Sequence, residues 1–354
     1  MNSFVQPDRT LAAQPARLGV FLHRADLGRG HEDLYRNQLT ELLDSLAEET
    51  MVASITASSA IEGVTVDPAR GEKLALSHEP PRFRNRNERE FAGYRDAIDE
   101  IIRSPARERL SVPFILHVHR QLFRHVDGHG GQLKTDQNLI VSYEGGMRTT
   151  VFKPPPPAKT EFMLSELALR YEDARKNEIA HPLVLVGAFV LDFLAIHPFA
   201  DGNGRVVRLL TTNLLLGEGY GVPRYVSLEQ RIFETKNAYY AALRASQRGW
   251  HEGKHSPWPW IEYLTSVLAE AYDAFEKKIA AARDGRHMSK QQRVREYVLK
   301  HAPLRFTVDD VRRSVLGVST ETIRLVLGRL RREGLVKPVG FGRSAAWDRV
   351  VETT

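Results

Sequence analysis

Ile196-His197-Pro198-Phe199-Ala200-Asp201-Gly202-Asn203-Gly204-Arg205-Val206-Val207-Arg208 is the stretch from which the rest of this 354-residue chain can be read. Gly202-Asn203-Gly204 has little Cβ bulk and tolerates left-handed dihedrals, so successive backbone N–H groups can turn toward one point as an anion nest. The run Arg205–Leu216 predicts a helix leaving that loop directly and stopping at Gly217. Its positive end then faces whatever the loop cradles, a geometry suited to phosphate. Arg205 and Arg208 are three apart, so on a helix they share a face and can lean on one anion. Asp201 is a hard oxygen ligand at the loop mouth, suited to a magnesium ion that also touches phosphate oxygens. His197, four residues earlier, has the ordinary pKa of a general base near neutrality. A His-Pro pair is often only a helix stop and Gly-Asn-Gly only a turn, but together these residues point to phosphoryl chemistry.

The same residues, His-Pro-Phe-x-Asp-Gly-Asn-Gly-Arg-x-x-Arg, resemble the full signature of Fic-domain (Fic/Doc family) proteins, with every signature position filled. The resemblance implies a mostly helical bundle and an adenylyltransferase that moves AMP from ATP to a Ser, Thr or Tyr hydroxyl of a protein target or of itself. By it His197 takes the hydroxyl proton and Asp201 holds Mg2+. Gly202, Asn203 and Gly204 wrap the phosphates, and Arg205 and Arg208 hold the β/γ end of ATP.

Upstream, an amphipathic pattern starts near His31 (Leu34, Leu39, Leu42, Leu43, Leu46, Met51, Ile55) and runs into Ser58-Ser59-Ala60-Ile61-Glu62-Gly63. Read alone, Gly63 is a helix stop and Ser58 and Glu62 lie one turn apart on a solvated face. Beside the signature, Ser58-x-x-x-Glu62-Gly63 resembles the inhibitory helix of Fic proteins. Glu62 then pairs with Arg208 and blocks the γ-phosphate, since both compete for one guanidinium fork.

Residues 1–30, rich in Pro, Gly and Arg, read as an extended, partly ordered arm, and Pro68–Asn87 as a loop. Glu88–Arg103 and Pro113–Arg124 are helical by apolar spacing. His117, His119, His125 and His129 have no acid or Cys to complete a metal set and read as packed or surface histidines. Asn138–Tyr143 and Met147–Lys153 around Glu144-Gly145-Gly146 form a hairpin by turn chemistry, closed by Pro154–Pro157. In Fic proteins such a flap aligns the target segment by strand addition, with Thr150, Val151 and Phe152 in that role here. Phe162–Lys176 is helical, and Pro182–Ile196 is apolar almost all round, the mark of a buried central helix delivering His197. Phe233–Gln247 reads as one helix. The family places adenine contacts near it, with Tyr240 the candidate, although aromatics at this spacing are usually core. Trp250–Trp260 reads as a turn, Ile261–Ala282 as a closing helix and Arg283–Ser289 as a linker.

From Met288 to Val350 fourteen Lys/Arg face six Asp/Glu, so the chain's net +6 belongs to its C-terminal part. Helices at Gln291–Lys300, Val308–Val315 and Thr320–Arg332, the last capped by Ser319 or Thr320, precede Gly334-Leu335-Val336 and a Gly340–Trp347 wing. The order resembles winged helix-turn-helix domains, which implies DNA contact by residues 290–350 through Thr320, Thr322, Arg324 and Arg343. The fold class is therefore predominantly all-α, a Fic-type bundle with a small hairpin flap plus a winged helix. Its expected parts are 1–110 with the inhibitory motif, 111–250 as the catalytic core, 251–286 as closing helix and linker, and 287–354 as the winged helix.

Hydrophobic residues make up 42% and charged residues 27% of the chain, as in ordinary soluble domains, and the absence of cysteine rules out disulfides and thiolate metal sites. The most apolar run, Leu183–Ile196, carries Asp192 and falls short of the roughly 18 residues of a membrane span. No signal peptide opens the sequence, which places the expected home in the cytoplasm. The expected ligands are ATP and Mg2+, the expected partner a protein target, and the sequence leaves a homodimer open. Two alternatives share the same residues: a DNA-binding regulator whose core senses nucleotide, and an enzyme removing AMP with Glu62 orienting water.

Overall fold

A computed structural model describes the chain except residues 1, 12–13, 37–38, 77–81, 105–109, 127, 129, 145–146, 288, 316, 341–345 and 351–354. It divides into a unit of residues 1–276 and a unit of residues 277–354.

The first unit is helical apart from one hairpin. A short turn at Asn2–Phe4 leads to α1 (Pro7–Thr10), α2 (Ala16–Arg36), α3 (Thr40–Ile61), α4 (Pro68–Leu76), α5 (Arg86–Arg103) and α6 (Val112–Leu122). The hairpin of β1 (Ile140–Glu144) and β2 (Met147–Phe152) follows, then α7 (Pro157–Lys176), α8 (Pro182–Ile196), α9 (Asn203–Gly217), α10 (Leu228–Glu234), α11 (Lys236–Gln247) and the larger part of α12 (Trp258–His287). Every residue of α8 from Leu183 to Ile196 is buried, so the other helices wrap it as a core rod. Asp192, the charged residue within it, accepts from Trp250 Nε1 at 2.6 Å and from Ser3 Oγ at 3.0 Å. His181 caps the start of α8, its Nδ1 accepting from Leu183 N at 3.2 Å. Pro198 disfavours continuation at the other end, and His197 leaves the helix in the left-handed region (φ 50°, ψ 62°).

Several expectations give way here. The extended arm of residues 1–30 is helical instead: α2 buries Leu18, Leu22 and Ala25 at i, i+4 and i+7, a helical period hidden by the Gly and Arg around it. The loop expected at Pro68–Asn87 contains α4, started by Pro68 and by Asp67 Oδ1 accepting from Arg70 N. Leu74 and Ala75 are its apolar anchors, too few to print a period. Phe233–Gln247 is not one helix but parts of α10 and α11. They separate at Thr235, whose hydroxyl turns back onto Arg231 O at 2.7 Å. The linker read at Arg283–Ser289 is helical to His287: the helix-favouring Ala280-Ala281-Ala282 run leads α12 on through Gly285.

β1 and β2 pair antiparallel, Val141 against Thr150 and Ser142 against Thr149, with a bulge where Ile140 opposes Phe152. The predicted turn Gly145-Gly146 lies outside the described residues.

The second unit holds α13 (Lys290–Glu296), extended by a π turn at Tyr297–His301, then β3 (Arg305–Thr307), α14 (Val308–Ser314), α15 (Thr320–Arg332), β4 (Val336–Val339) and β5 (Ala346–Arg349). The π turn replaces the uniform helix expected for Gln291–Lys300. β5 lies between β3 and β4, pairing antiparallel with both. Val294, Val298, Phe306, Val311, Ile323, Leu327, Leu330 and Val336 close its core. Ser319 caps α15 by accepting from Thr322 N at 3.3 Å. Arg343, expected to face DNA, lies outside the described residues, as does His129.

Candidate active site

The turn between α8 and α9 gathers the residues singled out in the sequence. Gly202 sits at φ 80°, the left-handed conformation that lets the chain enter α9 directly. Asn203 stabilises the turn from within: its Oδ1 accepts from Phe199 N at 2.9 Å and its Nδ2 donates to Phe199 O at 2.8 Å. The first turn of α9 thus points its N–H groups and dipole at the loop mouth.

His197 occupies a left-handed conformation that costs an L-residue roughly 1–2 kcal/mol. Its Nδ1 lies 3.3 Å from Leu194 O, and since a carbonyl can only accept, Nδ1 carries the proton and Nε2 is left with a lone pair. Burial pushes the imidazole pKa down to about 4, and the Lys134 ammonium also opposes its protonation. The ring is therefore neutral over the physiological range.

Arg208 is almost completely buried yet charged. Its Nε donates to Ser58 Oγ at 2.8 Å, and its Nη2 to Ser58 O and to Glu62 Oε1, both at 3.0 Å. Burial opposes the charge most, but Glu62 together with Tyr239 and Tyr94 offsets it and holds the guanidinium above its ordinary value. Nη1 has no hydrogen-bond partner among the described residues. Glu62 caps the end of α3, and a Cβ on Gly204 would stand 2.1 Å from Glu62 Oε1, so the carboxylate sits directly against the glycine of the loop. Arg205 is equally buried. Its Nη1 donates to Glu90 Oε2 at 2.5 Å, its guanidinium lies 5.2 Å from the Phe123 ring, and its Nε is also without a partner. Burial works against the charge of Glu90, but Arg86 and Arg205 hold its carboxyl below the usual range. Two buried guanidinium N–H groups without partners among the described residues, beside a helix N-terminus, are chemically suited to an anion.

Asp201 is more than half exposed. Its Oδ1 accepts from Gly202 N at 2.6 Å, and the carboxylate lies 3.6 Å from Arg205 and 3.8 Å from Arg86. No group of three potential metal-ligating side chains occurs among the described residues. A lone carboxylate at the mouth of an anion nest fits a Mg2+ that arrives with phosphate and keeps its waters.

The flap and the adenine candidate are less tightly joined to this cluster. Thr150 is exposed and Val151 half-buried, while Phe152 is buried, stacked on His251 at 5.1 Å and edge-on to Trp250 at 6.2 Å. Tyr240 is 36% exposed, lies edge-on to Tyr239 at 5.0 Å and has Lys236 Nζ 5.9 Å from its ring.

Four residues that sequence reasoning passed over complete the site. Glu90 holds Arg205, as above. His119 stacks on Phe199 with centroids 3.8 Å apart, accepts from Gly131 N at Nδ1 and so donates from Nε2 to Asp201 O at 3.2 Å. Lys134 and Asn138 hydrogen-bond the backbone around His197. Of these, only the histidine carried a signal, as one of several between residues 117 and 129. The other contacts join positions 59 to 115 residues apart, beyond any local pattern.

The Fic/DOC family profile matches residues 109–215, which span α6, the hairpin and most of the loop-bearing helices. The chain is 30% identical over 141 residues to the protein adenylyltransferase Fic of Drosophila yakuba and 33% identical over 144 residues to that of Drosophila willistoni. Each match covers 40% of this chain, and the chain spans only 25% of the length of those relatives. Among solved structures, a Fic family protein from Desulfovibrio desulfuricans G20 superposes with a TM-score of 0.60 at 19% identity, covering 96% of this chain and 98% of that one. A Fic domain containing signaling protein from Bacteroides thetaiotaomicron gives 0.57 at 18%, covering 75% and 98%. With the sequence profile, the helical fold and the filled loop in agreement, residues 109–215 are a Fic/DOC family domain.

Proposed function

We propose that this chain transfers AMP from ATP to a hydroxyl of a protein target or of itself, and that Glu62 restrains it at rest. The observation that carries the reading is the pair of buried N–H groups without a partner among the described residues, Arg205 Nε and Arg208 Nη1, beside the N-terminus of α9, with Glu62 on the neighbouring Arg208 Nη2 where a phosphate would lie. In this reading the target hydroxyl oxygen attacks the α-phosphorus of ATP while its proton passes to His197 Nε2. The bond from that phosphorus to the β-phosphate bridge breaks, and pyrophosphate leaves. The backbone of Gly202–Gly204 and both arginines hold the polyphosphate, so catalysis is mainly positioning and charge stabilisation. Asp201 would hold Mg2+, which when bound neutralises polyphosphate charge. The exposed edge of the flap at Thr149 and Thr150 would take the target as an added strand, while buried Phe152 anchors the hairpin.

The test is α-³²P-labelled ATP with magnesium, offered with a cell lysate to wild type, Glu62→Gly and His197→Ala. Label that rises with Glu62→Gly and vanishes with His197→Ala, ATP binding retained, supports the reading. No label from any variant that still binds ATP overturns it.

A second role is favoured for residues 277–354, which we infer to be a winged helix-turn-helix. Helix α15 presents Arg324 and Leu325 on its exposed side while Ile323, Val326 and Leu327 are buried, the division a groove-reading helix needs. A salt-dependent gel shift of the full chain on duplex DNA supports the role, and no shift at low salt removes it.

A further inference from the structure

The backbone of the loop is held from outside by one short segment, residues 131–138, that carries no part of the signature. Lys134 Nζ donates to Ile196 O at 3.0 Å and its backbone N to Pro198 O at 2.9 Å. Asn138 Nδ2 donates to His197 O at 3.1 Å and to Phe199 O at 3.0 Å. Lys134 Nζ also donates to Asn138 Oδ1 at 3.0 Å, which fixes the amide so that its NH2 faces the loop. Four consecutive carbonyls, from Ile196 to Phe199, therefore have donors from these two residues. They include the peptide planes on both sides of His197, the residue in the unfavourable left-handed conformation. Strained residues persist only where their surroundings over-determine them, and here these four bonds add to those of His197 N with Phe193 O and of its Nδ1 with Leu194 O.

We propose that Lys134 and Asn138 are positioning residues for His197: they hold its backbone turn and set the environment in which its imidazole accepts a proton. Lys134 is 4% exposed, its amine is pushed down by burial to about 8, and among described groups it has no carboxylate partner. A buried ammonium without a counter-ion is costly to maintain. As a structural strut alone it would be a poor choice beside a neutral side chain of similar length. Its charge is felt at His197, which Glu62 and Asp201 also face, both favouring the protonated ring, while Lys134 opposes it. Asn138 stands two residues before β1, so the same brace ties the flap to the loop.

The inference rests on the transfer reading, and its test separates the two. Lys134→Met, Lys134→Arg and Asn138→Ala are compared in the full chain carrying Glu62→Gly. Rates of AMP transfer are measured, and the titration of His197 is followed by NMR with ¹³C-labelled histidine. Lys134→Met is expected to lower kcat by roughly 10- to 100-fold, the range a small misplacement of a catalytic group produces, with KM for ATP within about two-fold. The His197 midpoint is expected to rise from its low value. Lys134→Arg, which keeps the cation and the donors, is expected to recover most of the rate and the low midpoint. Asn138→Ala is expected to lower kcat with a smaller change in midpoint, and it supplies the test where Lys134→Met fails to fold. An unchanged kcat and an unchanged His197 midpoint in a folded Lys134→Met or Asn138→Ala protein overturn the proposal. If the parent Glu62→Gly chain transfers no AMP, the transfer reading fails, while the NMR midpoint and the His197 backbone shifts still decide the brace.

Discussion

Replacing Glu62 by glycine removes the carboxylate from Arg208 while leaving the helix end intact, because Glu62 is the C-cap of α3 and glycine is well tolerated there. Its effect can be sized from the contact. The pair is a charge-assisted hydrogen bond of 3.0 Å between a guanidinium 4% exposed and a carboxylate 32% exposed. Such a bond contributes about 1.5–3 kcal/mol, and the exposed side of Glu62 places this one near the lower end. On the proposed reading a γ-phosphate takes the place of the carboxylate on Arg208 and against Gly204, so the whole of that energy opposes ligand entry. Its removal should tighten ATP binding and raise transfer by ~10-fold, rising toward ~100-fold if the bond lies at the upper end. The unliganded variant should also melt at a lower temperature, since buried Arg208 loses a counter-charge, and saturating ATP should restore more of the melting point than it does in wild type. Isothermal titration with ATP and label transfer from α-³²P-ATP measure the two effects. A Glu62→Gly protein that binds and uses ATP no better than wild type would refute the assignment of this contact as the block.

Three further outcomes are expected. Glu90→Gln should destabilise the chain by about 2–3 kcal/mol in urea unfolding, because Arg205, 2% exposed, is left buried beside a neutral amide; an unchanged midpoint would show that Asp201 alone suffices. His119 and His197 are both held near 4 in the folded state against 6.5 when free, so the unfolded chain binds more protons between those values. Their contribution is fully present above about pH 6.5 and is lost as the pH falls toward 4, by on the order of 2–3 kcal/mol each, and urea midpoints measured across that window should fall accordingly. Phe152→Ala should loosen the hairpin by removing its contacts with Trp250 and His251. It should raise KM for a protein target while leaving ATP affinity unchanged, and equal effects on both would count against a separate flap.

The loop was legible in the sequence because its chemistry is local: Gly202, Gly204, Asp201 and the two arginines act within one turn and one helix. The buried helix α8 was legible for a related reason, since fifteen residues without an exposed face leave no alternative period. Helix α2 was not, because its buried positions are diluted by glycine and arginine, and partners such as Asp273 for Arg24 and Glu276 for His31 lie far along the chain. Ser58 and Glu62 needed the family resemblance before their spacing meant anything, and their contact with Arg208 joins residues 146 and 150 apart. Glu90, Lys134 and Asn138 remained invisible. Each is an ordinary polar residue in its own neighbourhood, and only the tertiary fold gives it a buried partner.

The bare α-carbon of Gly204 has a consequence for how this domain can change by mutation. Glu62 Oε1 lies where its Cβ would be, so any larger residue at 204 would evict the carboxylate by its first carbon alone. It would also fill the space that admits a ligand. On the proposed reading, losing the restraint and losing the activity are then a single event at that position. On the same reading, a switched-on form that keeps its ligand space comes not from position 204 but from Glu62 itself, at the end of α3.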